Sequence, residues 1–355
     1  MRPRLLARTH YQADEPAYLR LLVLACSSCS QSEYAERVAA RLVNLLAQRD
    51  LQINPAAARY IVDLAHSIRL LNENNVWTDL AILMYTVCRE LPDPAAFELT
   101  LPERLLFFRL FLEADGAAMI FFGRALQSHK ILPPPGQTWA DMANEMFVSC
   151  FSEYLGLVGD TAERVALREV IQRRKARPFQ GNSGRHQVRV HIQTMYRLRL
   201  LIRDEREGSR AYSTPHPQEG FPQGLLALVR ALPDAMALET VIEKRAWPEV
   251  AVQVFRGDLP CEGTVDEDAL ARHFLGHVHR IYDTILAAGV SLCPLTSLIE
   301  SIQIEQLSGL GAALTYAKAL GLLTGLQRQR PREIHFHVDR AGRPAFIKLS
   351  EGFVP

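Results

Sequence analysis

Three times in this chain a helical pattern ends in the same run, apolar-x-Leu-Leu: Ile68-Arg69-Leu70-Leu71, Leu198-Arg199-Leu200-Leu201 and Leu320-Gly321-Leu322-Leu323. Each is followed by a turn and a short extended piece. After the second run, Ile202-Arg203-Asp204-Glu205-Arg206-Glu207-Gly208-Ser209-Arg210-Ala211-Tyr212 reads as a hairpin, with Gly208 where a tight turn needs positive φ. The third is clearer. Glu333 to Val338 alternates apolar and polar, Asp339-Arg340-Ala341-Gly342 turns, and Ala345 to Leu349 alternates again. The first is reduced to Asn72–Trp77. The expected fold class is therefore mainly α with small β-hairpins, one local module used several times.

The remaining chain reads as helices. Apolar residues recur at helical spacing from Ser32 to Ala47, and Asn54-Pro55 is an N-cap followed by Pro at the first helical position. Thr78 is a second cap. Helices from Leu91 to Gln127 are expected to break at Pro92, Pro94 and Pro102, and Pro133-Pro134-Pro135-Gly136 is the strongest break. Helices resume from Trp139 to about Lys175, then pause at the turn-rich Pro178 to Gly184. Tyr212 to Gly224 reads as a linker. Further helices are expected from Leu225 to Ala237, from Asp266 to Ala288 and near Leu310 to Leu323.

The order helix, turn, helix, β-hairpin resembles the winged helix-turn-helix superfamily. The resemblance covers residues 32–80, 161–212 and 292–349, about half of the chain. It implies multiple winged-helix modules joined by helical segments. Expected boundaries are 1–88 for an N-terminal winged-helix-like domain, 89–160 helical, 161–216 a basic winged helix, 217–288 linker and helices, and 289–355 a C-terminal winged helix. In this superfamily the second helix of the pair enters the major groove and the wing touches backbone or minor groove. By resemblance those roles fall on Arg185–Arg199 and Ile202–Tyr212.

Charge points the same way. From Arg164 to Arg210 there are thirteen Lys and Arg against four acids, a net of +9 in a chain whose total is +1. Positive charge gathered in one segment is the footprint of a polyanion site. At 100° per residue, Val188, Ile192, Met195 and Leu198 share an apolar face, while His186, Arg189, Gln193 and Arg197 cluster opposite, with Arg185 at the start. Arg and Gln can pair bidentately with guanine and adenine edges. Arg173, Arg174, Lys175, Arg177, Arg203, Arg206 and Arg210 would hold phosphates. The bland alternative is a solvated basic helix, in a chain with 35 Arg and only 5 Lys, a ratio that GC-rich coding explains.

The C-terminal copy carries Arg328, Arg330, Arg332, Arg340, Arg343 and Lys348 against Glu333 and Asp339. Its second helix, Leu310 to Leu320, is mostly small and apolar, so any DNA contact falls to the wing, through Arg340 and Arg343. The N-terminal copy offers only Arg59 and Arg69, with Asp63 between them, and suits protein contacts.

Catalytic patterns are weak. His335-Phe336-His337-Val338-Asp339 would put two His and an Asp on one strand face, as metal-dependent hydrolases use. Against that, Ile334, Phe336 and Val338 would simply face the core of a wing. His273 and His277 are four apart, but Phe274 stands where a zinc protease needs Glu. Cys26 and Cys29 lack a second pair of ligands at zinc spacing. There is no phosphate-binding Gly-rich loop and no Gly-x-Ser-x-Gly elbow. No catalysis, metal or cofactor is expected.

A chain of 355 residues, 48% hydrophobic and 22% charged, is expected to be a soluble protein of two or three domains. It shows neither a signal peptide nor the ~20 consecutive apolar residues of a membrane helix. The expectation is a cytoplasmic, prokaryotic-type protein that binds double-stranded DNA through the middle module. It would serve as a regulatory or adaptor subunit of a DNA-transaction complex: transcription, chromosome handling, mobile elements or phage defence. The chain beyond the two C-terminal modules exceeds what a simple repressor needs, which implies protein subunits as partners and is compatible with a homodimer. The alternative is a tandem winged-helix scaffold resembling condensin accessory subunits. A distant third is a metal-dependent hydrolase using His335, His337 and Asp339.

Overall fold

A computed structural model of the chain describes residues 4–6, 15–25, 35–48, 52–89, 97–204, 211–215, 223–260, 265–350 and 353. Among the described residues there are fourteen helices and five short strands. The chain is mainly α with small antiparallel sheets. It divides into two compact units, one of Met1–Pro16 and Phe107–Gly257, the other of Ala17–Leu106 and Asp258–Pro355.

The second unit begins with α1 (Ala17–Ala25), α2 (Ala35–Ala47), α3 (Pro55–Ser67) and α4 (Asp79–Cys88). Asn54 caps α3 by accepting from the Ala56 N–H at 2.8 Å. The helix ends at the repeated run. Arg69 takes a left-handed φ of 62°, its N–H reaches His66 O at 3.0 Å, and the Leu70 N–H reaches Ala65 O at 2.8 Å. This is the Schellman cap, and it satisfies carbonyls that the helix end would leave unbonded. Leu71 then bridges Trp77, with Asn72 Oδ1 accepting from Asn74 and Val76 across the turn. Arg20 on α1 is buried in an ion pair with Glu103, which also accepts from the Thr100 N–H and hydroxyl at 2.8 Å each. The two bonds from Thr100 offset part of the cost of burying the Glu103 carboxylate.

The long helix α5 (Leu101–His129) carries Pro102 in its first turn. Pro is accommodated there because its missing N–H would be unbonded anyway, so it opens a helix and does not break one. From Phe107 onward α5 belongs to the first unit, with α6 (Trp139–Leu157), α7 (Thr161–Ala176), α8 (Gly181–Arg197), β1 (Ile202–Asp204), β2 (Ala211–Ser213), α9 (Gly224–Ala231), α10 (Ala235–Glu243) and α11 (Trp247–Val254). The predicted pause at Pro178 to Gly184 ends early, since Gly181–Gly184 form the first turn of α8. Gly184 lies against α6: a Cβ there would stand 2.6 Å from both Cα and Cβ of Ala140. It is a close-packing glycine where the sequence suggested a turn glycine.

Helix α8 ends as α3 does. Arg199 has φ 58°, its N–H meets Tyr196 O, and the Leu200 N–H meets Met195 O, both at 2.9 Å. The chain then pairs β1 with β2, Ile202 opposite Ser213. Tyr212 exchanges both backbone bonds with Leu132, at 2.8 and 2.9 Å, so the expected linker begins with a paired and buried strand residue. The N-terminal segment docks on α5: Arg4 O accepts the Ala117 N–H at 3.1 Å and Arg4 Nη1 donates to Glu113 O at 3.0 Å.

The second unit resumes with α12 (Glu267–Leu286), β3 (Cys293–Pro294), α13 (Leu295–Leu310), α14 (Tyr316–Gln329), β4 (Ile334–Val338) and β5 (Pro344–Leu349). The sheet order is β3-β5-β4, antiparallel throughout. Helix α13 is buried along most of its length, and three of its buried polar side chains bond to backbone carbonyls. Ser297 donates to Asp79 O, Gln303 to Leu314 O and Gln306 to Leu270 O, at 2.7 to 2.8 Å. The third Leu-Leu run departs from expectation. Leu320–Leu323 lies inside α14, which continues to Gln329, and the turn expected after the run falls later, at 331–333 before β4.

Candidate nucleic-acid interface

In the first unit, α7 and α8 both pack on α6. Asp160 caps α7 by accepting from the Glu163 N–H at 2.8 Å. Only Leu167 and Ile171 of α7 are buried, so this helix is mostly solvent face. Its last turn carries Arg173, Arg174 and Lys175, where cations suit the negative end of the helix dipole. Arg173, Lys175 and the following Arg177 are exposed. Arg174 instead stacks over the Phe179 ring at 3.5 Å and lies 5.0 Å from the Phe147 ring. Burial there lowers its pKa from the ordinary value. Asn144 on α6 clasps the connection to α8, accepting from the Phe179 N–H at 2.7 Å and donating to Phe179 O at 3.0 Å.

Helix α8 has two unlike halves. Its apolar face is as the periodicity predicts, with Val188, Ile192, Met195 and the capping Leu198 all buried. Toward the N-terminus, Arg185 and Arg189 are exposed and His186 is half-buried. The first turn has no acidic residue and no side-chain cap.

The expected polar face closes in the other half. Gln193 is only 8% exposed and donates to Glu15 Oε1 at 2.9 Å. Arg197 forks the same carboxylate, Nε to Oε2 at 2.6 Å and Nη2 to Oε1 at 2.7 Å. Both were expected to face a groove, and both hold the N-terminal segment instead. Behind them His191 is buried against Asp115. Sequence reasoning missed Glu15, Asn144 and Asp115, which lie far from α8 in the chain and carry no local motif.

In the hairpin, Arg203 is exposed and lies 5.1 Å from the Tyr196 ring, while Arg206 and Arg210 fall outside the described residues. Arg340 and Arg343 belong to the second unit, exposed at the β4–β5 turn. Asp339 organises that turn, accepting from the Ala341 N–H at 2.8 Å and the Arg343 N–H at 3.0 Å. The Arg343 backbone hydrogen bond is the main influence holding the Asp339 carboxyl below its usual range.

The same turn bears on the metal alternative. His335 and His337 are exposed on β4, but Asp339 is committed to the turn. Among the described residues, no three His, Cys, Asp or Glu side chains form a metal-ligand group. Of the apolar residues expected inward, Ile334 is buried and Val338 is 59% exposed. The β4–β5 register shifts between His337 and Val338, which carries Val338 past the core. His273 and His277 stack at 4.1 Å between ring centroids, and burial lowers the His273 pKa. Cys26 and Cys29 lie outside the described residues. Among the described residues no helix is long and apolar enough to cross a membrane.

The chain matches no protein-family model, no curated protein and no solved structure.

Proposed function

We propose that the chain is a DNA-binding protein of winged-helix type, which grips duplex through α7, α8 and the β1–β2 hairpin. One observation carries this: α8 locks Val188, Ile192 and Met195 into the core while its N-terminal half presents Arg185 and Arg189 to solvent. Helix-turn-helix proteins use the N-terminal residues of the recognition helix to reach base edges. Arg173, Lys175, Arg177 and Arg203 would then take phosphates, which position a protein without reading sequence. The winged-helix resemblance is supported by the order α12, β3, α13, α14, β4, β5 with sheet order β3-β5-β4. The α8 cap followed by a hairpin supports it in the first unit. The proposed role is a regulatory or adaptor subunit of a DNA-transaction complex.

The test is duplex binding across a salt series. Phosphate contacts release counterions, so affinity should fall log-linearly with salt, with a slope near −0.9 per contact. Absence of binding to any duplex at low salt would sink the proposal.

A scaffold role is the second reading. A groove between α2 and α3, lined by Ala39, Ala40, Val43, Pro55, Ala56 and Tyr60 together with Glu36, Asn44, Arg59 and Asp63, favours a protein partner for the N-terminal module.

A further inference from the structure

We infer that Arg197 and Gln193 form an anion site on α8 which the Glu15 carboxylate now fills, and that a backbone phosphate of bound DNA replaces it. The inference rests on the DNA-binding function proposed for α8.

Three donors converge on one carboxylate. Arg197 supplies two, at 2.6 and 2.7 Å, and Gln193 the third, at 2.9 Å. Gln193 is fixed by burial, so it adds a neutral donor at a defined place beside the guanidinium fork. A planar fork fits carboxylate and phosphate equally well, and such charge-assisted pairs are the strong ones. A site of this chemistry on the helix that carries Arg185 and Arg189 is therefore a phosphate site with an internal occupant.

The occupant is not a neighbour in sequence. Glu15 precedes Gln193 by 178 positions and Arg197 by 182. It is delivered by the N-terminal segment, whose other end is tied down in the same unit. Arg4 forks Glu239 at 2.7 and 2.8 Å, and the Leu6 N–H donates to Asp115 at 3.0 Å. Glu15 belongs to the same chain as the site, two residues before α1, so it competes intramolecularly. A tethered competitor acts at a high effective concentration that no dilution removes. Duplex affinity is thus set partly by how easily Glu15 lets go, and a partner that draws the N-terminal segment away would raise it.

The experiment measures duplex binding by fluorescence anisotropy across a salt series, using the full chain. The variants are Glu15→Gln, Glu15→Asp, Arg197→Ala and the double variant Glu15→Gln with Arg197→Ala. Glu15→Gln should bind roughly tenfold tighter, the size of one charge-assisted contact. Its salt slope should steepen by about 0.9, one added phosphate. Glu15→Asp, one methylene short of the fork, should gain less and serves as the folded alternative if Glu15→Gln is unstable. The gain should vanish in the double variant. Wild-type affinity and slope in both single Glu15 variants would overturn the inference and leave the DNA-binding function standing. A gain that persists without Arg197 would overturn it too, because net charge alone would explain it. If no variant binds duplex at low salt, the function itself fails and the inference with it.

Discussion

His191 on α8 and Asp115 on α5 lie 2.6 Å apart, Nδ1 to Oδ2, with both side chains almost fully buried. The other Asp115 oxygen accepts from the Leu6 N–H at 3.0 Å. One carboxylate therefore fastens the inner side of the proposed recognition helix and the N-terminal segment to the same long helix. Asp115→Ala removes this acceptor from both donors inside the core. It should cost about 1–3 kcal/mol for each buried donor left without its acceptor. Asp115→Asn keeps an oxygen for Leu6 and should cost less. Urea unfolding measures both, and equal losses would show that charge, not the Leu6 bond, dominates.

Gly184 makes the close approach of α8 to Ala140 on α6. A methyl added there meets backbone at 2.6 Å, and backbone cannot rotate aside. Gly184→Ala should destabilise by about 1–3 kcal/mol through overpacking. Gly276 on α12 is the control, because a Cβ there meets nothing within 4 Å. In that helix interior Gly276→Ala should be stabilising by about 0.5–1 kcal/mol. Thermal melts of the two variants should move in opposite directions.

How far the sequence reaches is visible at α8. Its apolar face is local, set by a 3.6-residue period, and is found where the spacing puts it; β1 and β2 pair on either side of the expected Gly208 turn, which itself lies outside the described residues. The repeated Leu-Leu run is local too, but its meaning depends on the residue before it. Arg69 and Arg199 adopt left-handed φ and end their helices, whereas Gly321 stays helical and α14 runs on. At the site, exposure of Arg173, Lys175, Arg185 and Arg189 follows from helix phase. The fate of Gln193 and Arg197 does not, because Glu15 arrives from the far end of the chain. Gly184 misled for the same reason: a residue without a side chain marks a turn or a close contact, and only the packing partner distinguishes them.

Acid stability should report on a second network in the first unit. Glu239 on α10 is forked by Arg4 and accepts from the Tyr154 hydroxyl at 2.6 Å. Burial alone would raise its pKa. The hydrogen bonds from Arg4 and Tyr154, with the Arg4 charge, outweigh burial and hold it below its ordinary 4.5. A carboxyl depressed on folding adds stability that is complete above its unfolded value and is lost as pH falls through the folded one. Wild type should therefore exceed Glu239→Gln in stability near neutrality, and the gap should close as pH drops below about 4. Denaturant midpoints at a series of pH values check this. A gap constant down to strong acid would mean that shape, not charge, holds the network.

The exposed cations divide by position, and the division is testable. Lys175, at the end of α7, is an exposed point charge that the proposed function assigns to phosphate. Lys175→Ala should weaken binding by a similar factor on every duplex and flatten the salt slope by about 1. Arg189 projects from the exposed half of α8, one residue past the buried Val188, where a guanidinium can reach a guanine edge. Arg189→Ala should cost about 1–3 kcal/mol on a preferred duplex and far less on others, relaxing preference at one base pair. Binding selections from a randomised duplex pool, run on wild type and both variants, separate the two roles. If Arg189→Ala lowers affinity uniformly without changing the selected sequence, the helix grips the backbone alone and does not read bases.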